Sequence, residues 1–175
     1  MNFTKTLATS AAFEALLTAS ALTAQAANLI ANGSFERPIV PAGAYTSFNT
    51  GQTFAGWTVV GATGNVSVVS ETYTGNGFTF PPEAGAQSLD LTGAGSNTAT
   101  GVSQNIATTP GAAYKLTFWV GNVVNPNGID GATSTVNVLV NGVQVDSATN
   151  SLGAGSTDHP DQHRLHQRRS VERQL

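Results

Sequence analysis

Any chemistry in the body of this chain must come from carboxylates, hydroxyls and amides. There is no cysteine, and all three histidines fall between residues 159 and 166. Thiol catalysis and cysteine-based zinc sites are therefore excluded, and no Ser-His-Asp arrangement can be built within the body. The carboxylates available are Glu36, Glu71, Glu83, Asp90, Asp130 and Asp146. Hydrolysis of a glycoside needs two of them across one cleft, and sequence spacing singles out no pair. Gly93-Ala94-Gly95 has no helix after it, so it reads as a loop and not as a phosphate cradle.

Aromatic side chains point to a second kind of chemistry, the stacking of a ligand on an exposed β-surface. Between Ala113 and Val120, Tyr114, Leu116, Phe118 and Val120 alternate onto one face, with Lys115, Thr117 and Trp119 on the other. Trp119 is thus the first candidate for ligand binding, with Tyr45, Tyr73 and Phe78 on loops behind it. The competing reading buries Trp119 under a loop or a further strand. Trp57 follows a glycine and opens an apolar run, which places it in the core.

The elements that must carry these residues are strands. Charged residues make up only 10 % of the chain and glycine occurs 19 times, a composition for many turns rather than for charged helix faces. The runs 57–60, 66–70, 88–91, 102–106 and 113–120 read as strands, preceded by a short one at Leu29-Ile30. Residues 37–56 and 74–85, rich in Pro and Gly, read as long loops. Asn141-Gly142 between two alternating runs predicts a hairpin with positive φ at both residues. Lys5, the apolar stretch from Leu7 to Leu22 and Ala24-Gln25-Ala26 predict a secretory leader over 1–26, with Glu14 as a flaw in it. A net charge of −3 argues against a nucleic-acid partner, and no later segment is apolar enough to span a bilayer.

The opening Asn28-Leu29-Ile30-Ala31-Asn32-Gly33-Ser34-Phe35-Glu36 is followed in order by Gly56-Trp57, Gln87-Ser88-Leu89-Asp90-Leu91, Gly101-Val102-Ser103-Gln104 and Pro110-Gly111-Ala112-Ala113-Tyr114. This order resembles the choice-of-anchor C family (domain of unknown function 642). It is also similar, more weakly, to bacterial carbohydrate-binding modules of families 4, 9 and 22. The resemblance implies an all-β fold, an antiparallel jelly-roll β-sandwich of the galactose-binding-like kind, over residues 27–157. It also implies a structural calcium ion held in part by Glu36, with a second carboxylate in a closing strand that this sequence lacks. A solvated Glu36–Arg37 pair is the alternative at that position.

Composition changes abruptly at Asp158. From there to Leu175, ten of eighteen residues are charged or His, against ten charged residues and no His in the 157 before them. Only Leu165, Val171 and Leu175 are apolar, without strand or helix spacing, so residues 158–175 are expected to be a disordered tail. A shifted reading frame, a genuine basic tail and a metal-binding tail built on Asp158, His159, Asp161, His163 and His166 all stay open. The function expected is that of an exported, bacterial, non-catalytic domain that binds polysaccharide or cell-envelope glycan outside the cell. A surface or biofilm-matrix structural protein is the second reading, and a glycan-active enzyme the third.

Overall fold

The computed structural model describes residues 27–75, 78–95, 98–123, 133–151 and 165–174. The expected leader, Asp130 and the stretch from Asp158 to His163 lie outside the described residues. Within them the fold is all-β and antiparallel, with no helix. Twelve strands follow one another: β1 (Tyr45–Asn49), β2 (Thr53–Phe54), β3 (Trp57–Gly61), β4 (Asn65–Ser70), β5 (Thr74–Gly75), β6 (Phe78–Thr79), β7 (Gln87–Asp90), β8 (Thr100–Ser103), β9 (Ala113–Asn122), β10 (Ser134–Val140), β11 (Val143–Asn150) and β12 (Leu165–Gln174).

Two three-stranded sheets, ordered β1-β4-β7 and β2-β3-β8, form a β-sandwich. Its core is Val66 and Val68 from β4 against Val59 and Phe54, with Val40 closing one end and Phe48, Trp57, Leu89 and Val102 packed around them. Phe48 and Phe54 stack at 4.4 Å between centroids. Side chains alternate along β4, so Val66, Val68 and Ser70 face inward while Asn65, Ser67 and Val69 face out. A second, smaller layer packs the β9–β12 ribbon against the β10–β11 hairpin through buried Val120, Val171 and Ala148. Two buried amides fasten it: Asn150 Nδ2 donates to the Val120 carbonyl at 2.7 Å, and Asn122 Oδ1 accepts from Ser134 Oγ at 3.0 Å.

Several expectations need correction. Leu29 and Ile30 are in no strand; the chain turns at 31–34 and is tied down by side chains instead. The supposed loop 37–56 contains β1 and β2, and the supposed loop 74–85 contains the small β5–β6 hairpin. Prolines and glycines punctuate those segments, but Tyr45 to Asn49 is long enough to pair residue by residue with β4. The tail expectation also fails over its second half. Leu165–Gln174 forms a strand, pairing in unbroken register with all ten residues of β9. Backbone hydrogen bonding holds it there without an apolar alternation to recommend it. The Asn141-Gly142 turn is as expected, with φ of 51° and 79°.

Candidate functional site

The residues of the opening motif build a clasp. Asn32 folds the chain back on itself: its Nδ2 donates to the Arg37 carbonyl at 2.8 Å and its Oδ1 accepts the Arg37 N–H at 3.1 Å. The Asn32 carbonyl accepts from Trp57 Nε1 at 3.1 Å, and Phe35 packs on the same indole at 5.3 Å. Gln87 holds the next segment. Buried at the start of β7, it accepts the Val40 N–H at Oε1 and donates from Nε2 to the Phe35 and Pro38 carbonyls, at 2.5, 2.7 and 3.0 Å. Its side chain thereby serves the backbone of a segment that has no strand partner among the described residues.

Glu36 belongs to the same clasp. Its Oε1 accepts the N–H groups of Ala86 and Gln87 at 3.0 and 3.2 Å. Gly85 sits at φ +80°, and a Cβ there would meet Glu36 Oε1 at 2.2 Å, so the carboxylate can approach only because position 85 is glycine. The segment 36–42 and the facing ends of β4 and β7 border an open cleft of about 460 Å³, within the size range of small-molecule sites. Glu36 and Glu71 contribute its carboxylates, Ser70 and Thr72 its hydroxyls, and Ile39, Val40 and Ala42 its apolar wall. Ile39 is 81 % exposed at the mouth.

Thr72 ties the cleft to its surroundings. Its Oγ1 accepts the Gly43 N–H at 2.7 Å and lies 3.0 Å from Ser70 Oγ. The next residue, Tyr73, meets Tyr45 edge-on at 5.1 Å and Phe80 at 5.7 Å. Tyr45 and Ser88 flank Val69 on the outer face of the first sheet. Val69, on that face, is 4 % exposed. Among the described residues the other carboxylates lie outside the cleft. Asp90 Oδ1 accepts from the N–H and hydroxyl of Thr92 at 2.9 and 2.7 Å, Asp146 accepts the Ser147 N–H, and Glu83 is exposed. The Gly93–Gly95 loop is a structural cover: Asn65 Oδ1 accepts the Ala94 N–H at 2.9 Å and holds it on the sheet.

Of the residues singled out by sequence, the structure brings Tyr45 and Tyr73 together and leaves Trp119 apart. Trp119 stands on β9, 44 % exposed, in a different sheet. Phe78 has its backbone in β6, while its side chain lies outside the described residues. Phe80, Ile39 and Thr72 were missed. The Pro81-Pro82 pair that follows Phe80 is the one signal that could have marked it, because it ends the hairpin strand there. All cleft groups with metal affinity are oxygens, a hard donor set suited to calcium rather than to zinc. Among the described residues, however, no three Asp, Glu, His or Cys side chains gather.

A family model described as HpiC1 cyclase matches residues 26–165. The chain belongs to the HpiC1-like family. No curated protein and no solved structure matches it. The HpiC1-like match corrects three expectations. It replaces the choice-of-anchor C and carbohydrate-binding-module resemblances, and of the residues that suggested them Asn32, Glu36 and Gln87 clasp backbone in the fold. It overturns the non-catalytic glycan-binding function, because the family is one of cyclases. For the same reason it overturns the expectation that the protein is not an enzyme. The match ends at residue 165, where β12 begins.

Proposed function

We propose that the protein is an exported cyclase that closes a ring within an apolar, unsaturated small molecule bound in the cleft of Glu36 and Glu71. One observation carries the site: two carboxylates share a cleft with Arg37, the Ser70 and Thr72 hydroxyls and the apolar side chains of Ile39, Val40 and Ala42. Ring closure by acid catalysis needs a proton donor, a shape that folds the substrate and a recipient for the proton released. Glu71 is the donor in this reading. It adds its proton to a π bond, a second π bond of the same molecule attacks the cation so formed, and a C–C bond results. A proton then leaves the neighbouring carbon for a carboxylate, so composition is unchanged. Glu36, with Oε1 fixed by two N–H groups, shapes the cleft and sets a carboxyl group beside the developing cation.

A calcium ion belongs to the same proposal. Glu36 Oε2 would hold it with hydroxyl, carbonyl and water oxygens, and its contribution would be to stiffen the clasp. The test of function is incubation of the protein in D₂O with a panel of linear terpenols, dienals and unsaturated ketones. A ring-closed isomer carrying one deuterium on carbon supports the reading. Ring closure that is unaffected by changing Glu71 would sink the assignment of the donor.

A further inference from the structure

β12 lies almost wholly beyond the family match, and it ends the β9–β12 ribbon: among the described residues, no strand pairs with its other edge. Such an edge is a template for another chain unless Pro, a bulge or unmatched charged side chains blunt it. β12 contains no Pro and no Gly, and its register with β9 runs without a bulge. Its charges decide what it can accept. On one face, Arg168 stands opposite Trp119, Ser170 opposite Thr117 and Glu172 opposite Lys115. Arg168 is exposed, and Lys115 Nζ and Glu172 Oε1 form an exposed pair at 2.9 Å.

We propose that β12 pairs antiparallel with β12 of a second copy of this chain, about a twofold axis at Ser170, joining the two ribbons into a four-stranded sheet. In that register Arg168 of each copy meets Glu172 of the other, and no two like-charged positions face each other. Arg169 falls opposite Val171, Arg173 opposite Gln167 and His166 opposite Gln174. Each neighbouring register sets two basic positions against one another. An axis at Arg169 opposes that residue to itself, and an axis at Val171 opposes Arg169 to Arg173. The two half-steps oppose His166 or Arg168 to Arg173. Like charges directly across a strand pair are destabilising, so of these five registers the one centred on Ser170 is favoured. Glu172 then lies between Lys115 of its own chain and Arg168 of the second copy. One strand edge buries less than a stable dimer face, so association is weak and follows concentration.

Sedimentation equilibrium of the full chain over a loading series to about 1 mM tests this. The wild-type mass should rise toward twice the monomer, and less so at high salt. R168E and E172R should each remain monomeric over the same series, since each sets two like-charged pairs across the axis. Mixed one to one, they should dimerise again, because each chain then meets opposite charge on the other. R168E leaves the Lys115–Glu172 pair intact, and the double variant R168E/E172R, which should dimerise alone, covers any loosening caused by E172R. A monomeric wild type, a single variant that dimerises like the wild type, or a mixture that stays monomeric overturns the proposal.

Discussion

Gln104 grips Ala31 from both sides: its Oε1 accepts the Ala31 N–H at 2.8 Å and its Nε2 donates to the Ala31 carbonyl at 3.1 Å. The same Nε2 reaches the Gly56 carbonyl at 3.1 Å, so one side chain stitches the start of the described chain to the turn before β3. Gln104→Ala should cost about 1–2 kcal/mol in urea unfolding. Gln104→Glu should cost no less, because it turns a donor shared by two carbonyls into an acceptor facing them.

Gly85 and Glu36 should behave as a coupled pair. Gly85→Ala puts a methyl into the space of Glu36 Oε1 at a positive φ, and should destabilise by roughly 2 kcal/mol. With Glu36→Ala already in place, the clash disappears and only the backbone strain is left. The double variant should therefore lose less than the two single losses added together, as read from thermal or urea unfolding. Equal additivity would mean that the carboxylate does not occupy this position in solution.

Trp57 and Trp119 should separate cleanly. Trp57 packs against the core and donates a hydrogen bond, so Trp57→Ala should cost about 3 kcal/mol or more. Trp119→Ala removes an exposed ring and should change stability by roughly 0.5 kcal/mol at most. Fluorescence quenching by iodide should report mainly Trp119 in the wild type.

Glu71→Gln should lower kcat for ring closure by about 10²–10⁴ with KM little changed, the pattern for a group that transfers a proton in the transition state. Its unfolding midpoint should be that of the wild type, since its side chain is exposed. A drop in kcat accompanied by an equal loss of stability would assign Glu71 to structure.

Calcium should raise the unfolding temperature of the wild type, and Glu36→Gln should abolish the rise. An unchanged midpoint in millimolar calcium would remove the ion from the proposal and leave the hydrogen-bonded clasp alone.

Much of the fold was legible because strands announce themselves when one face is buried. Val66 and Val68 in β4, Leu89 in β7 and the Asn141-Gly142 turn were all readable from alternation and turn chemistry. β1 was not, because Tyr45 to Asn49 mixes exposed and half-buried residues between prolines and glycines. β12 was not, because its pairing rests on backbone bonds that carry no side-chain pattern. The site was less legible still. Glu36 and Glu71 are 35 residues apart in sequence, and they share a cleft only because the clasp at Asn32 and Gln87 folds residues 36–42 over the ends of β4 and β7. The opening motif from Asn28 to Glu36 is a signature of that clasp, and only its last residue reaches the cleft.

The partnership of β9 with β12 also sets an order in time. About forty residues separate the end of β9 from the start of β12, so β9 leaves the ribosome well before its partner exists. At ~5–20 residues per second, that interval is roughly 2–8 s. Throughout it, a ten-residue strand waits with its future edge uncovered, long after hairpins elsewhere have had time to close. Newly made chains are thus most open to capture by chaperones, or by one another, in a window fixed by the distance between two strands along the message.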